Sequence, residues 1–332
     1  MVLKKADKRS RNILFDLLKI VLILLVVTIH VRVIVPTNNA HLFGSYWSYA
    51  VPIFMTLSFL LMSKYFSQIK LSFSVILLRI KRILLPLIFW SGIGFLLKPS
   101  LFNLNNAFLQ LMTGKVVNTA LYYLDVLIWL TLIFWLITYL PPKFRAPLHF
   151  VIILTAFILE YTKINYLFFN PMSNEIKRCY GQIVELIKYA SLGTLFGMLQ
   201  NQNKKKFILF GLAGLSFILL TQFKFPTSLG FNYSGINLFL GTIFVLSSVM
   251  LIGNINLPTK INDFIITFSS YSFGVYLCHL VFLEKLVKIL PSIKYFNSQF
   301  PLLFLFLFTI GCYAFCFLFD HLTFKKLSYL VK

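Results

Sequence analysis

The chain has 332 residues, of which 59% are hydrophobic and 12% charged, and a mean hydropathy of +0.84; this excludes a water-soluble fold and indicates a polytopic membrane protein. A net charge of +22 would point to nucleic acid in a soluble chain. Here it follows the excess of Lys and Arg that inner membrane loops carry, and no nucleic-acid partner is expected.

A spanning helix needs about 20 apolar residues. Ten stretches are candidates: 12–35, 43–62, 83–97, 120–140, 146–161, 180–199, 206–222, 235–253, 264–289 and 301–319. The predicted fold class is all-α, with about ten transmembrane helices and both termini cytoplasmic. Most Lys and Arg then fall on inner segments, beginning with Lys4, Lys5, Lys8, Arg9 and Arg11, although Lys285, Lys288 and Lys294 lie on the outer side. Residues 1–332 read as one transmembrane domain with no separate soluble domain. The first apolar run is too long for a cleavable signal peptide and no small-residue cleavage site follows it.

In the first stretch, Lys19 and His30 are eleven residues apart. Eleven helical steps make about three turns and about 16 Å, so both side chains lie on one face. An ionisable group at such depth faces a protein interior or a wet cavity, and neutral imidazole is a general base near physiological pH. Interfacial snorkelling is the plainer reading of His30. Asp16 and Lys19, at i and i+3, can form a local ion pair, which does not conflict with a ligand role for Lys19.

The second stretch contains Pro52, which invites a kink, and Ser58, a small polar residue of the kind that helix contacts favour. At the mouth of the third lies Arg79-Ile80-Lys81-Arg82. Arg79 and Arg82, three apart, read either as a charge anchor or as an anion clamp for phosphates. In the fourth, Asp125 lies several residues in, needs a partner, and is a candidate to orient His30. Gly193 and Gly197 in the sixth form a small-xxx-small helix contact. The ninth carries a second intramembrane imidazole, His279, after Ser269-Ser270-Tyr271-Ser272-Phe273-Gly274-Val275-Tyr276. It reads as a packing hydrogen bond or a substrate-positioning group. Cys179, Cys278, Cys312 and Cys316 form no CxxC pair, and no metal-ligand spacing, glycine-rich phosphate loop or GxSxG elbow is found.

Taken in order, these pieces resemble the acyltransferase 3 family of integral membrane acyltransferases. The resemblance runs through Phe15-Asp16-Leu17-Leu18-Lys19 to His30, matching a basic-x10-His pattern, then Val51-Pro52-Ile53-Phe54 to Ser58 and Arg79-x-x-Arg82 before Pro86. It continues with Tyr122-Tyr123-Leu124 and ends at Ser272-Phe273-Gly274-x-Tyr276-Leu277-x-His279. Lys19 stands where arginine is common, Phe59 where glycine usually follows the serine, and Tyr122 where tryptophan is usual. The resemblance is to the stand-alone transmembrane module.

It implies an acyl-CoA donor, most simply acetyl-CoA, with no metal, and a glycan or lipid-linked glycan as acceptor. Lys19, Arg79 and Arg82 would hold the donor phosphates. His30 would be the general base or an acyl relay, with Asp125 orienting it, while Ser58 and Tyr276 are candidate oxyanion donors and His279 positions substrate. The 38 Phe, with abundant Ile, Lys and Asn, suggest an AT-biased bacterial genome and hence the inner (plasma) membrane, among membrane lipids. A carrier or flippase for a polar lipid or glycan precursor is the rival class. Such transporters often show repeated halves, and none is visible here.

Overall fold

A computed structural model describes residues 12–35, 46–66, 73–97, 121–162, 174–200, 205–222, 235–323 and 327–332. The basic residues at 4–11 and the side chain of Cys179 lie outside them. Among the described residues there are twelve α-helices and no strand. We number them α1 (Ile13–Ile34), α2 (Ala50–Phe66), α3 (Phe73–Leu97), α4 (Tyr122–Ile137), α5 (Pro142–Thr162), α6 (Asn174–Leu199), α7 (Lys205–Gln222), α8 (Ile236–Ile252), α9 (Thr259–Ser270), α10 (Ser272–Ile289), α11 (Ile293–Gln299) and α12 (Pro301–Leu322). Short 3-10 turns occupy Tyr46–Tyr49 and Ser328–Leu330.

Helix ends follow local chemistry. The Asn12 side chain accepts from Leu14 N–H at 3.0 Å and starts α1. Arg145 folds back on the end of α4, its Nε donating to the Leu140 carbonyl at 2.9 Å and its terminal nitrogen to that of Thr138 at 2.7 Å, so orphan carbonyls are satisfied before α5 begins. Gly253 ends α8 at φ +71°, a conformation glycine adopts without a Cβ penalty. Hydroxyls inside apolar helices bond the carbonyl one turn back, as Thr28 does to Leu24 and Thr131 to Leu127, both at 2.7 Å.

Among the described residues, three helices are apolar and long enough to cross a membrane: Ile13–Ile34, Pro142–Thr162 and Pro301–Leu322. The pair Thr259–Ser270 and Ser272–Ile289, bent by 50° at Tyr271, makes a fourth if it is one broken span. The outward faces suit lipid, with Phe150, Leu154, Phe210, Leu302 and Phe306 all exposed. Where charges are buried they find partners, as in the buried Lys188–Glu160 ion pair between α6 and α5.

The tightest seam joins α2 to α6 and rests on the small-residue pair expected from sequence. A Cβ on Gly193 would stand 2.1 Å from the Thr56 carbonyl oxygen, and one on Gly197 1.4 Å from Ser63 Oγ. Pro52 sits in the first turn of α2, directly after the 3-10 turn. Two sequence expectations need correction. The third helix starts at Phe73 and carries Arg79, Lys81 and Arg82 inside it, ten residues before the expected boundary at 83. The ninth stretch is two helices, because Tyr271 interrupts it.

Candidate functional site

A cavity of about 440 Å³ opens among α1, α2, α4 and the α9–α10 break. Its polar lining comprises Lys19, Ser58, Tyr123, the serines 269, 270 and 272, Tyr276 and Lys332. Ile23, Val26, Phe54, Leu57 and Phe273 supply an apolar wall. The chamber therefore has an apolar slot and a few fixed polar groups, the usual make-up of a small-molecule site.

At one end Lys19 donates to Asp16 at 3.1 Å, the local pair anticipated from sequence. Asp16 is buried and also accepts from Ser269 Oγ at 2.8 Å, which ties α1 to α9. The lysine keeps part of its surface towards the cavity and lies on its wall.

On α3, Arg79 points inward. Its terminal nitrogen donates to Ser58 Oγ at 2.9 Å and its Nε to Thr131 Oγ1 at 3.2 Å, and its guanidinium carbon lies 5.4 Å from the centroid of the Phe59 ring. Hydroxyls and a π-face hold this cation, and among the described residues it forms no ion pair. Ser58 is thus presented to the cavity with a guanidinium behind it. Arg82 is exposed. The two arginines of the sequence motif do not converge: their 60° offset around the helix puts Arg79 on the packed face and Arg82 outside it.

Neither His30 nor His279 is among the residues that line the cavity. His30 lies one turn beyond the lining residue Val26 on α1, and its ring centroid is 5.0 Å from that of His279 on α10, the planes inclined at 48°. His279 is fully buried. Its Nδ1 lies 3.0 Å from the Val275 carbonyl oxygen, which only accepts, so Nδ1 carries the proton and Nε2 keeps its lone pair. That Nε2 is buried without a hydrogen-bond partner. Tyr276, whose ring centroid is 6.1 Å from His279 and 5.7 Å from Tyr123, links this pair to the cavity wall.

The ring beside His30 is that of His279. Asp125 is buried in the first turn of α4, two residues after Tyr123, whose ring meets Tyr276 on α10.

Five polar wall residues were given no role from the sequence: Tyr123 on α4, Ser269, Ser270 and Ser272 at the α9–α10 break, and Lys332, which comes from a segment remote in sequence from the other wall residues. The only sequence signal for Lys332 was its partner, Asp320, one of nine acidic residues in the chain and placed in an otherwise apolar helix.

The bundle thus holds a buried imidazole pair and, near it, a chamber with two lysines on its wall. No curated protein and no solved structure matches the chain. A family model described as an acyltransferase domain, Acyl_transf_3, matches residues 12–321. That interval includes α1 to α11, nearly all of α12, and every site residue named above except Lys332. The chain belongs to the acyltransferase 3 family and is a membrane acyltransferase.

Proposed function

We propose that the protein moves an acyl group, most simply acetyl, from a cytoplasmic acyl-CoA to a hydroxyl of a cell-surface glycan or lipid-linked glycan in a bacterial inner membrane. The bundle would cross the membrane ten times with both termini inside, which puts the lysine end of the cavity towards the cytoplasm. The observation that carries this reading is the His30–His279 pair, 5.0 Å between centroids, set beyond a chamber with Lys19 at its far end.

In this reading the donor phosphates stay at the basic end and the pantetheine arm lies along the Ile23–Val26 wall. The rise from Lys19 to His30, about 16 Å, is comparable with an extended thioester arm. His30 removes the proton from the acceptor hydroxyl as its oxygen forms a bond to the thioester carbonyl carbon. The tetrahedral intermediate then expels the thiolate, and His30 returns the proton to it, giving an ester and free CoA. General-base help of this kind contributes about 10²–10⁴-fold in rate. The lone pair on His279 Nε2 is available to accept from the His30 ring and hold its orientation. Ser58, backed by Arg79, and Tyr276 are the hydroxyls placed to meet the carbonyl oxygen. An acyl-imidazole on His30 is the covalent version of the same scheme.

The test is thiol release from acetyl-CoA by purified full chain. Wild type releases CoA, and His30→Ala loses the activity at an unchanged unfolding temperature. Release by His30→Ala at the wild-type rate would overturn the role given to His30. Absence of release and of acyl-CoA binding in the wild type would overturn the donor.

A further inference from the structure

The α9–α10 break is anchored on both sides by matching relays. On one side Ser269 donates to the buried Asp16, which holds Lys19. On the other, Tyr271 donates to Asp320 Oδ2 at 2.9 Å, and the same carboxylate oxygen holds Lys332 Nζ at 2.6 Å. Asp16 is 1% exposed and Asp320 0%, whereas the side chains of Lys19 and Lys332 are 27% and 34% exposed. In each relay the carboxylate is sealed in protein and the ammonium is turned to the cavity. Both lysines line that same cavity.

The segment that delivers Lys332 is firmly seated. Trp90 Nε1 donates to the Leu330 carbonyl at 3.3 Å, and Leu330 and Val331 are buried. Gly274 leaves room for them: a Cβ there would stand 2.5 Å from the Val331 carbonyl oxygen. The Lys332 ammonium also lies 4.8 Å from the Tyr271 ring centroid. Burial opposes the charge on Lys332, but the bonds to Asp320 and Tyr271 outweigh it and hold the ammonium above the ordinary lysine range. An ammonium has three donors. Asp320 and Tyr271 use two, which leaves one for a ligand in the cavity.

We propose that Lys332 is a donor-binding residue, completing with Lys19 a two-lysine site for the phosphates of the acyl-CoA. The proposal rests on the donor class given above. It places a specificity determinant outside the matched interval 12–321, on a segment whose docking shapes the basic end of the cavity.

Affinities of purified full chain for CoA and for pantetheine, which has the same arm without phosphates, separate this role from a structural one. Lys332→Gln weakens CoA binding on the order of tenfold, the scale of one lost charge-assisted hydrogen bond, and leaves pantetheine unchanged; Lys332→Arg retains CoA binding. Asp320→Asn, which keeps the ammonium and removes its counter-charge, does not weaken CoA binding. The two variants thus move in different directions, whereas a purely structural pair makes them alike. Equal loss for CoA and pantetheine, CoA affinity unchanged in Lys332→Gln, or parallel losses in Lys332→Gln and Asp320→Asn would overturn the proposal. If Lys332→Gln fails to fold, the double variant Asp320→Asn with Lys332→Gln restores an uncharged pair, and its CoA-to-pantetheine ratio decides. A wild type that binds neither compound would remove the donor reading itself, a result distinct from a wild type that binds CoA and a variant that binds it equally well.

Discussion

The chemistry turns on a few side chains whose surroundings fix what they do. His279 is set in one tautomer by the Val275 carbonyl and faces His30 with a free lone pair, so the two imidazoles act unequally. We predict that His279→Ala lowers the turnover of acetyl-CoA while its KM stays near wild type, because the loss falls on the orientation of His30 and not on donor binding. Steady-state thiol release measures both constants; a KM-dominated defect contradicts this. Arg79 holds Ser58 and Thr131 through two different nitrogens of one planar fork. Lysine cannot reproduce that geometry, so Arg79→Lys should behave like Arg79→Ala in the same assay. Wild-type rates in Arg79→Lys would show that charge alone is needed. At this scale the sequence was informative where a single helix sufficed. The Asp16–Lys19 pair was legible because helical period fixes the relative directions of residues three apart. Lys332 escaped notice because its place depends on a contact with Asp320.

Among the elements, the seam between α2 and α6 and the α9–α10 break shape the cavity. The first was readable from Gly193 and Gly197, since small residues four apart mark close helix approach. Replacing either with leucine inserts carbon where the Thr56 carbonyl or the Ser63 hydroxyl already stands. We expect each to cost about 1–3 kcal/mol, seen as a lower unfolding temperature in detergent, with Gly211→Leu on the open face of α7 as a harmless control. The break could not be read in advance, because Tyr271 is neither proline nor glycine. It exists because tertiary bonds hold it: Ser269 to Asp16, Tyr271 to Asp320, and the Ser272–Tyr313 hydroxyl pair at 3.0 Å. The bend in turn brings three serines to the cavity wall. The start of α3 was also displaced, since charged residues were taken to end an apolar span when Arg79 is instead accommodated inside the packed helix.

For the whole molecule, large apolar side chains point outward and the buried Lys188 and Glu160 are paired inside, as a bundle in lipid requires. The all-helical class followed from composition alone. The number of crossings does not follow from helix length, because several helices are short and α3 and α6 carry charges within them. A ten-span arrangement with both termini inside predicts that single cysteines placed beside Lys81 and near Lys260 react with a membrane-impermeant maleimide only after the cells are opened, while one beside Lys294 reacts in intact cells. The reverse pattern would invert the bundle and put the basic end of the cavity on the wrong side for a cytoplasmic donor. The central claim concerns the cell envelope, and its most direct test is the ester content of purified surface glycan, read by mass spectrometry in cells carrying wild type, His30→Ala or no protein at matched membrane levels. The account predicts that the ester is present with wild type and lost in both other strains. An unchanged ester in cells without the protein, or failed delivery of an unmodified precursor to the surface, would contradict it and make the protein a carrier.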